Sequence, residues 1–264
     1  MKLGFIGAGN MGSAIIRSAI ASGIVQAENI TVADRDAVKL EALKSEFGLR
    51  ISKENTDCLD CDMVFFCVKP NVLESVIDEI EAYVKRDSVF VSVAAGQSIK
   101  KISGMFDKSD VKIVRAMPNT PALVGEGMSA VCVNDYVTSG EKEAVLKVFN
   151  SFGRAELVSE NVMDAVTAVS GSSPAYVFMF IEAMADAAVR GGMTRDMAYT
   201  FAAQSVLGSA KMVLETGKKP AELKDMVCSP GGTTIDAVAV LEEEGMRSAV
   251  IKAMCACMDK TKSM

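Results

Sequence analysis

Lys2-Leu3-Gly4-Phe5-Ile6 runs directly into Gly7-Ala8-Gly9-Asn10-Met11-Gly12, and a helical spacing of Ile15, Ile16, Ala19 and Ile20 follows. An apolar strand, a G-x-G-x-x-G turn and a helix, in that order, form the arrangement that seats a dinucleotide pyrophosphate. Each glycine has its own physical reason. Gly7 allows the tight turn, Gly9 lets the backbone approach the phosphates without a Cβ, and Gly12 lets the helix pack close to the strand. The helix N-terminus adds unpaired N–H groups and a partial positive charge. Gly7, Ala8, Gly9, Asn10, Met11 and Gly12 are therefore the candidate cofactor seat. A structural turn with no ligand is the alternative, and the strand before and helix after favour the cofactor.

Composition narrows the class. A chain of 264 residues, 50% hydrophobic and 23% charged, is long enough for one large or two medium globular domains. A net charge of −6 with no Lys/Arg cluster argues against a nucleic-acid partner. No basic region and cleavage site precede the first strand, and the apolar run Phe178–Ile181 soon meets Glu182 and Asp186, so neither secretion nor a membrane span is expected. The 7 cysteines are odd in number and scattered, which suits reduced thiols in a cytoplasm. Cys58-Leu59-Asp60-Cys61 has no second pair at zinc spacing, and Cys255 and Cys257 face two sides of a helix, so no metal site is expected. Histidine is absent, which removes mechanisms that protonate a substrate oxygen from imidazole.

Along the chain, Ile30-Thr31-Val32-Ala33 reads as the second strand. Asp34 follows about 25 residues past the glycine turn, where a carboxylate bonds the ribose hydroxyls of NADH. Arg35 beside it suits the 2′-phosphate of NADPH instead, and the two residues point to opposite cofactors. Val38–Phe47 reads as a helix closed by Gly48, and Leu49–Ile51 as a short strand. Asp62–Val68 is a continuous apolar run, hence a buried parallel strand. It ends in Lys69-Pro70, where Pro70 suits a helix start and Lys69 sits at the carboxyl end of a central strand. Val89–Val93 ends in Ala94-Ala95-Gly96, small enough for a nicotinamide ring or ribose to lie against the backbone. Lys112–Met117 is another strand, and Pro118 and Pro121 then bracket Asn119-Thr120, presenting an amide and a hydroxyl at the sheet edge. A turn at Gly125–Gly127, a strand over Met128–Val133, a helix over Glu141–Phe152 and a strand over Ala155–Val158 complete the pattern.

The expectation is an α/β protein: a Rossmann-like, doubly wound parallel sheet with antiparallel additions over residues 1–158. An all-α C-terminal domain follows over residues 159–264, with helices over Val162–Ser170, Pro174–Val189, Arg195–Glu215, Ala221–Val227, Thr234–Glu244 and Met246–Lys262. Its long apolar faces should be buried against a second copy. Two loops there stand out: Ser170-Gly171-Ser172-Ser173-Pro174 and Ser229-Pro230-Gly231-Gly232-Thr233-Thr234. Each stacks hydroxyls and glycine before a helix start, which is helix capping chemistry and also a seat for a small carboxylate.

These stretches resemble the pyrroline-5-carboxylate reductase family. The resemblance is carried by Gly4–Ile15, Val68–Pro70, Ala94–Gly96, Arg115–Pro121, Asp164–Tyr176 and above all Leu223–Ile235, in the family's order over nearly the whole chain. It implies reduction of 1-pyrroline-5-carboxylate to L-proline by hydride from NADPH or NADH. It also implies a homodimer built through the C-terminal helices, with dimers of some members assembling to decamers. By this resemblance Gly7–Gly12 hold the pyrophosphate, Asn55 touches the adenosine ribose, and Val68, Lys69, Pro70, Ala94 and Ala95 line the nicotinamide side. Asp34, Arg35 and Asn119, read from the residues themselves, complete the candidate cofactor set. Ser229, Gly231, Gly232 and Thr233 receive the substrate carboxylate, Thr234 bonds the ring nitrogen, and Thr234 and Ser172 are the catalytic candidates. The chain departs from the family at Ser173, where the family has a second glycine, at Ala187-Ala188 in place of Gly-Gly, and at Met193-Thr194 in place of Leu-Pro.

The absent histidine fits a cyclic iminium, which accepts hydride without a strong protein acid. β-Hydroxyacid dehydrogenases share the first motif and use a lysine on an early helix of the second domain. Here no lysine occurs between Lys147 and Lys211. A nucleotide-sensing protein on the same fold is the non-enzyme alternative.

Overall fold

The computed structural model describes residues 1–262. Eight strands make one sheet: β1 (Leu3–Ile6), β2 (Ile30–Ala33), β3 (Arg50–Ser52), β4 (Met63–Phe66), β5 (Val89–Ser92), β6 (Lys112–Met117), β7 (Gly127–Val133) and β8 (Gly153–Leu157). Their order is β3-β2-β1-β4-β5-β6-β7-β8. All neighbours are parallel except β6 and β7. The winding direction reverses at β1, with β2 on one side and β4 on the other, and ligands of such sheets bind outside the carboxyl ends at that point.

Strand β4 shows why the sequence makes a sheet covered on both faces. Phe65 enters the apolar cluster holding Phe5, Ile15, Val32, Leu40 and Phe149. Its neighbours Val64 and Phe66 enter the opposite cluster, with Leu73, Ile77, Phe90 and Ile102. Successive strand side chains alternate, so a run that is apolar at every position demands apolar layers on both sides. Phe5 and Phe65, paired in register, stack with ring centroids 4.7 Å apart. Phe66 and Phe90 do the same at 5.5 Å on the other face.

The covering helices are α1 (Asn10–Ala21), α2 (Ala37–Phe47), α3 (Pro70–Ile80), α4 (Ile99–Ser103) and α5 (Ser139–Asn150). Their ends follow local chemistry. Gly48 closes α2 in the left-handed conformation, Pro70 opens α3, and Thr138 with Glu141 forms a capping box on α5. Helix α4 is too short to show an apolar period in the sequence, and Ser98 caps it by accepting from the Lys101 N–H at 3.1 Å. A 3-10 turn over Asn55–Asp60 carries Cys58 and ends at Cys61. Burial pushes the Cys58 thiol up to about 12, and the neighbouring Cys61 adds to the shift.

The single helix expected over Val162–Ser170 is instead a composite. A 3-10 turn over Glu160–Val162 leads into α6 (Met163–Val166) and then a π-helical turn over Thr167–Gly171. Side chains compete for the backbone there: the Thr167 hydroxyl donates to the Met163 carbonyl and the Ser170 hydroxyl to that of Val166. The Asn119 amide takes the Ser170 carbonyl at 3.0 Å, and the Ser172 N–H reaches back five residues to Thr167 O at 2.8 Å.

The remaining helices are α7 (Ser173–Arg190), α8 (Arg195–Thr216), α9 (Pro220–Val227), α10 (Thr233–Glu243) and α11 (Met246–Lys262). Thr194 precedes α8 in extended backbone, but its hydroxyl makes no capping bond; Gly217 ends that helix left-handed. Contacts divide the chain into a sheet unit, residues 1–172 with the described residues from Cys257 on, and a helical unit, Ser173–Ala256. Strands end at Leu157, so the change from strand to helix falls near residue 158, while the sheet unit continues through the π turn. No helix among the described residues is long and apolar enough to cross a membrane.

Candidate functional site

The glycine turn sits at the carboxyl end of β1. Gly7 adopts φ of +108°, and a Cβ there would stand 2.6 Å from the Cys67 carbonyl oxygen. A Cβ on Gly12 would stand 2.4 Å from the Gly7 carbonyl oxygen. These two glycines are required by the protein's own packing. Gly9 differs: a Cβ there meets nothing within 4 Å. Gly9 is the N-cap of α1, supplies no side chain to the free N–H groups, and is followed by no acidic residue in the first turn. The result is an open, uncapped helix N-terminus facing space that the protein does not fill. That fits a diphosphate.

Register places the other cofactor candidates along the same edge. Ile6 is opposite Ala33 on one side and Phe66 on the other, and Phe66 is opposite Ser92. Gly7, Asp34, Val68-Lys69-Pro70 and Ala94-Ala95 thus leave neighbouring strands at one end of the sheet. Lys69 is exposed and is the N-cap of α3; Ala94 is buried, and Gly96 follows with φ of +71°. Asn55, beyond β3, donates its amide to Glu79 Oε2 at 2.8 Å.

Asp34 is tied into the protein. One carboxylate oxygen accepts from the Ala8 N–H at 2.6 Å, and the other from the Asp36 N–H at 2.8 Å. The carboxylate therefore clamps the glycine turn to the end of β2. Arg35, next in the chain, is exposed. Asn119 is likewise engaged: besides the Ser170 carbonyl, its Oδ1 accepts from the Met128 N–H at 2.8 Å. Its side chain joins the loop after β6, strand β7 and the π turn.

Two contributors to this region lay beyond sequence reasoning. Arg115, on β6 and only 8% exposed, pairs with Glu160 at 2.9 Å. The same Glu160 oxygen accepts from the Ile99 N–H at 2.7 Å, fixing the start of the composite segment to α4. A buried arginine within an apolar strand was the available signal. The second is Cys257, whose sulfur lies 3.2 Å from the Ser172 hydroxyl. Ser172 belongs to the sheet unit, as the cofactor candidates do, and Thr234 belongs to the helical unit.

Within the helical unit, Ser229-Pro230-Gly231-Gly232 links α9 to α10. Gly231 has φ of +66°, and the Gly232 N–H donates to the Ser229 carbonyl at 3.1 Å. A Cβ on Gly232 would stand 2.5 Å from Ser229 Oγ, so the turn folds tightly over that hydroxyl. Gly232 caps α10 with no side-chain bond, leaving the first-turn N–H groups beside Thr233, which is exposed, and Thr234, which is half-buried. This is a second helix N-terminus without a side-chain cap, although Asp236 lies in its first turn.

Known proteins extend this picture. Residues 2–96 match the family described as coenzyme F420-dependent NADP oxidoreductase. Residues 160–264 match the family described as pyrroline-5-carboxylate reductase dimerisation. The pyrroline-5-carboxylate reductase of Escherichia coli K12 is 52% identical over 264 residues, which is 100% of this chain and 98% of that protein. The Coxiella burnetii pyrroline-5-carboxylate reductase structure superposes with a TM-score of 0.92 at 34% identity, covering 99% of this chain and 97% of that one. The Plasmodium falciparum pyrroline carboxylate reductase, solved with NADP bound, gives 0.90 at 35% identity over 100% of this chain and 97% of that one. With half its residues identical to one such enzyme end to end, the chain belongs to the pyrroline-5-carboxylate reductase family.

Proposed function

We propose that this protein reduces 1-pyrroline-5-carboxylate to L-proline with NADPH, residues 1–158 binding the cofactor and residues 159–264 binding the substrate and a second copy of the chain. The observation that carries the reading is the open space at Gly9 before the uncapped N-terminus of α1. The bound cofactor supplies a hydride to the imine carbon. Everything else is positioning, which requires a reacting distance of about 3–3.5 Å. The Gly7–Gly12 turn holds the pyrophosphate through the Asn10 and Met11 N–H groups at the start of α1, while the Ala8 N–H stays bonded to Asp34 and fixes the turn. Val68, Lys69, Pro70, Ala94 and Ala95 set the nicotinamide side, and Asn55 lies toward the adenosine ribose.

On the substrate, Ser229, Gly231, Gly232 and Thr233 bind the carboxylate with the N-terminus of α10. The Thr234 hydroxyl bonds the ring nitrogen, and Ser172 is the second hydroxyl at the reacting ring. The pyrroline nitrogen enters protonated, so hydride arrival yields the neutral amine and no side chain need surrender a proton. Thr234→Ala is expected to lower kcat/KM for 1-pyrroline-5-carboxylate by at least about tenfold, or about 1.4 kcal/mol of transition-state stabilisation. An unchanged kcat/KM in a spectrophotometric NADPH-oxidation assay would remove Thr234 from the reaction.

NADPH is favoured over NADH because Arg35 is exposed at the end of β2, where it suits a 2′-phosphate, and because a relative 35% identical to this chain was solved with NADP bound. Losing one charge-assisted contact to a 2′-phosphate should weaken NADPH binding by about tenfold in Arg35→Ala, with NADH affinity held within about twofold. Titration of both cofactors by calorimetry checks this; equal weakening of both would assign Arg35 another role.

A homodimer through the C-terminal helices is supported by their uncovered apolar surface: Phe178 and Leu214 are each 63% exposed. Further assembly of dimers, as far as a decamer, rests on the family resemblance alone. Light scattering at low micromolar concentration should return at least twice the 28.0 kDa chain mass; a stable particle of 28.0 kDa would contradict the dimer. All seven cysteines are unbridged, which supports a cytoplasmic setting.

A further inference from the structure

The Ser172 hydroxyl stands at the exit of the π turn, and its surroundings are built rather than incidental. Its own N–H closes the π turn onto the Thr167 carbonyl at 2.8 Å. The turn is held from outside by Asn119, which takes the Ser170 carbonyl, and by the close approach of Gly171, where a Cβ would stand 2.7 Å from Met117 Cε. Backbone position is thereby set, but hydroxyl direction is not. A serine hydroxyl rotates freely unless a partner holds it. The partner here comes from the far end of the sequence. Cys257 Sγ lies 3.2 Å from Ser172 Oγ, a normal hydrogen-bond separation for sulfur, across 85 positions.

The last turn of α11 is stiffened locally by a bond within the helix. The Thr261 hydroxyl donates to the Cys257 carbonyl at 2.9 Å, and Thr261 is 7% exposed. The final turn of α11 groups with the sheet unit, whereas the earlier turns of the same helix group with the helical unit. Cys255, two residues earlier, is exposed and makes no comparable contact among the described residues. Both cysteines are unbridged, and no group of three metal-ligating side chains occurs among the described residues. What remains for Cys257 is the bond to Ser172.

We infer that Cys257 is a positioning residue that orients the Ser172 hydroxyl toward the reacting ring. The sulfur has two ways to do so. As acceptor it draws the hydroxyl proton and turns the Ser172 lone pairs outward; as donor it occupies one lone pair and leaves the hydroxyl proton to point outward. In either case Cys257 touches no substrate and acts only through Ser172. This inference rests on the reading of Ser172 as a residue of the reacting site.

The test is a double-mutant cycle in the full-length enzyme, reading kcat and KM separately, with melting temperatures measured for every variant. Cys257→Ala should lower kcat about threefold to tenfold, the span of one net hydrogen bond, with KM unchanged. Cys257→Ser, which keeps a polar hydrogen at shorter reach, should restore at least half of the loss. Cys255→Ala should match the parent. Ser172→Ala should lose at least as much as Cys257→Ala, and the double variant should be no worse than Ser172→Ala alone. A Cys257→Ala enzyme with unchanged kcat, or a double variant whose loss is the product of the two single losses, overturns the inference and leaves the Ser172 reading in place. An unaffected Ser172→Ala enzyme overturns both. A melting temperature lowered equally in Cys257→Ala and Cys257→Ser, with activity falling alike in both, would make the thiol a packing residue and also overturn the inference.

Discussion

Between Gly7, Gly12 and Cys67 there is no room for a side chain. The Gly7 position would drive a Cβ into the Cys67 carbonyl, and the Gly12 position would drive one into Gly7 itself. This crowding brings three things to one point: the end of β1, the start of α1 and the end of β4. The carboxyl ends of the central strands then share an edge, and the helix N-terminus is aimed at it. Asp34 adds the fourth connection by accepting the Ala8 N–H, so the turn is tied to β2 as well. The turn is rigid because its walls are backbone in contact with backbone. Its mouth is open because Gly9, alone of the three glycines, faces no protein atom within 4 Å.

The chemistry asks little more of the protein than geometry. An iminium is electrophilic on its own, so a chain without histidine loses nothing by lacking a general acid. Hydroxyls and uncapped helix ends are the natural tools, and they recur in both units: α1 with its glycine N-cap, α10 with Gly232 in the same position, and Ser172 at the mouth of a π turn. π-Helical turns are rare, are stable only when the freed backbone groups find partners, and are frequent at functional sites. Here Asn119 supplies one partner, which explains why an asparagine singled out for its exposed amide spends that amide on the fold.

Much of this was legible in the sequence because it depends on neighbours. The strands Ile30–Ala33 and Lys112–Met117 and the helix start at Pro70 follow from apolar runs and a proline, and the left-handed ends at Gly48 and Gly217 follow from glycine. What was hidden depends on distant bonds. The composite helix after Glu160 breaks its pattern because Asn119, 51 positions away, captures the Ser170 carbonyl. The pairing of Cys257 with Ser172 crosses still more chain. Asp34 is the intermediate case: its type and position suggested a ribose ligand, but only the fold shows its two oxygens already accepting from amides.

If the space at Gly9 belongs to the cofactor, a single methyl group placed there will disturb binding far more than folding. Gly9 has φ of −70°, so alanine is allowed there, and the expected loss of folding stability is no more than about 1 kcal/mol from a poorer N-cap. NADPH affinity of Gly9→Ala, measured by calorimetry, should nevertheless fall at least about tenfold, or about 1.4 kcal/mol, because the new methyl occupies the place of the phosphates. A stable Gly9→Ala protein that binds NADPH as the parent does would contradict the account.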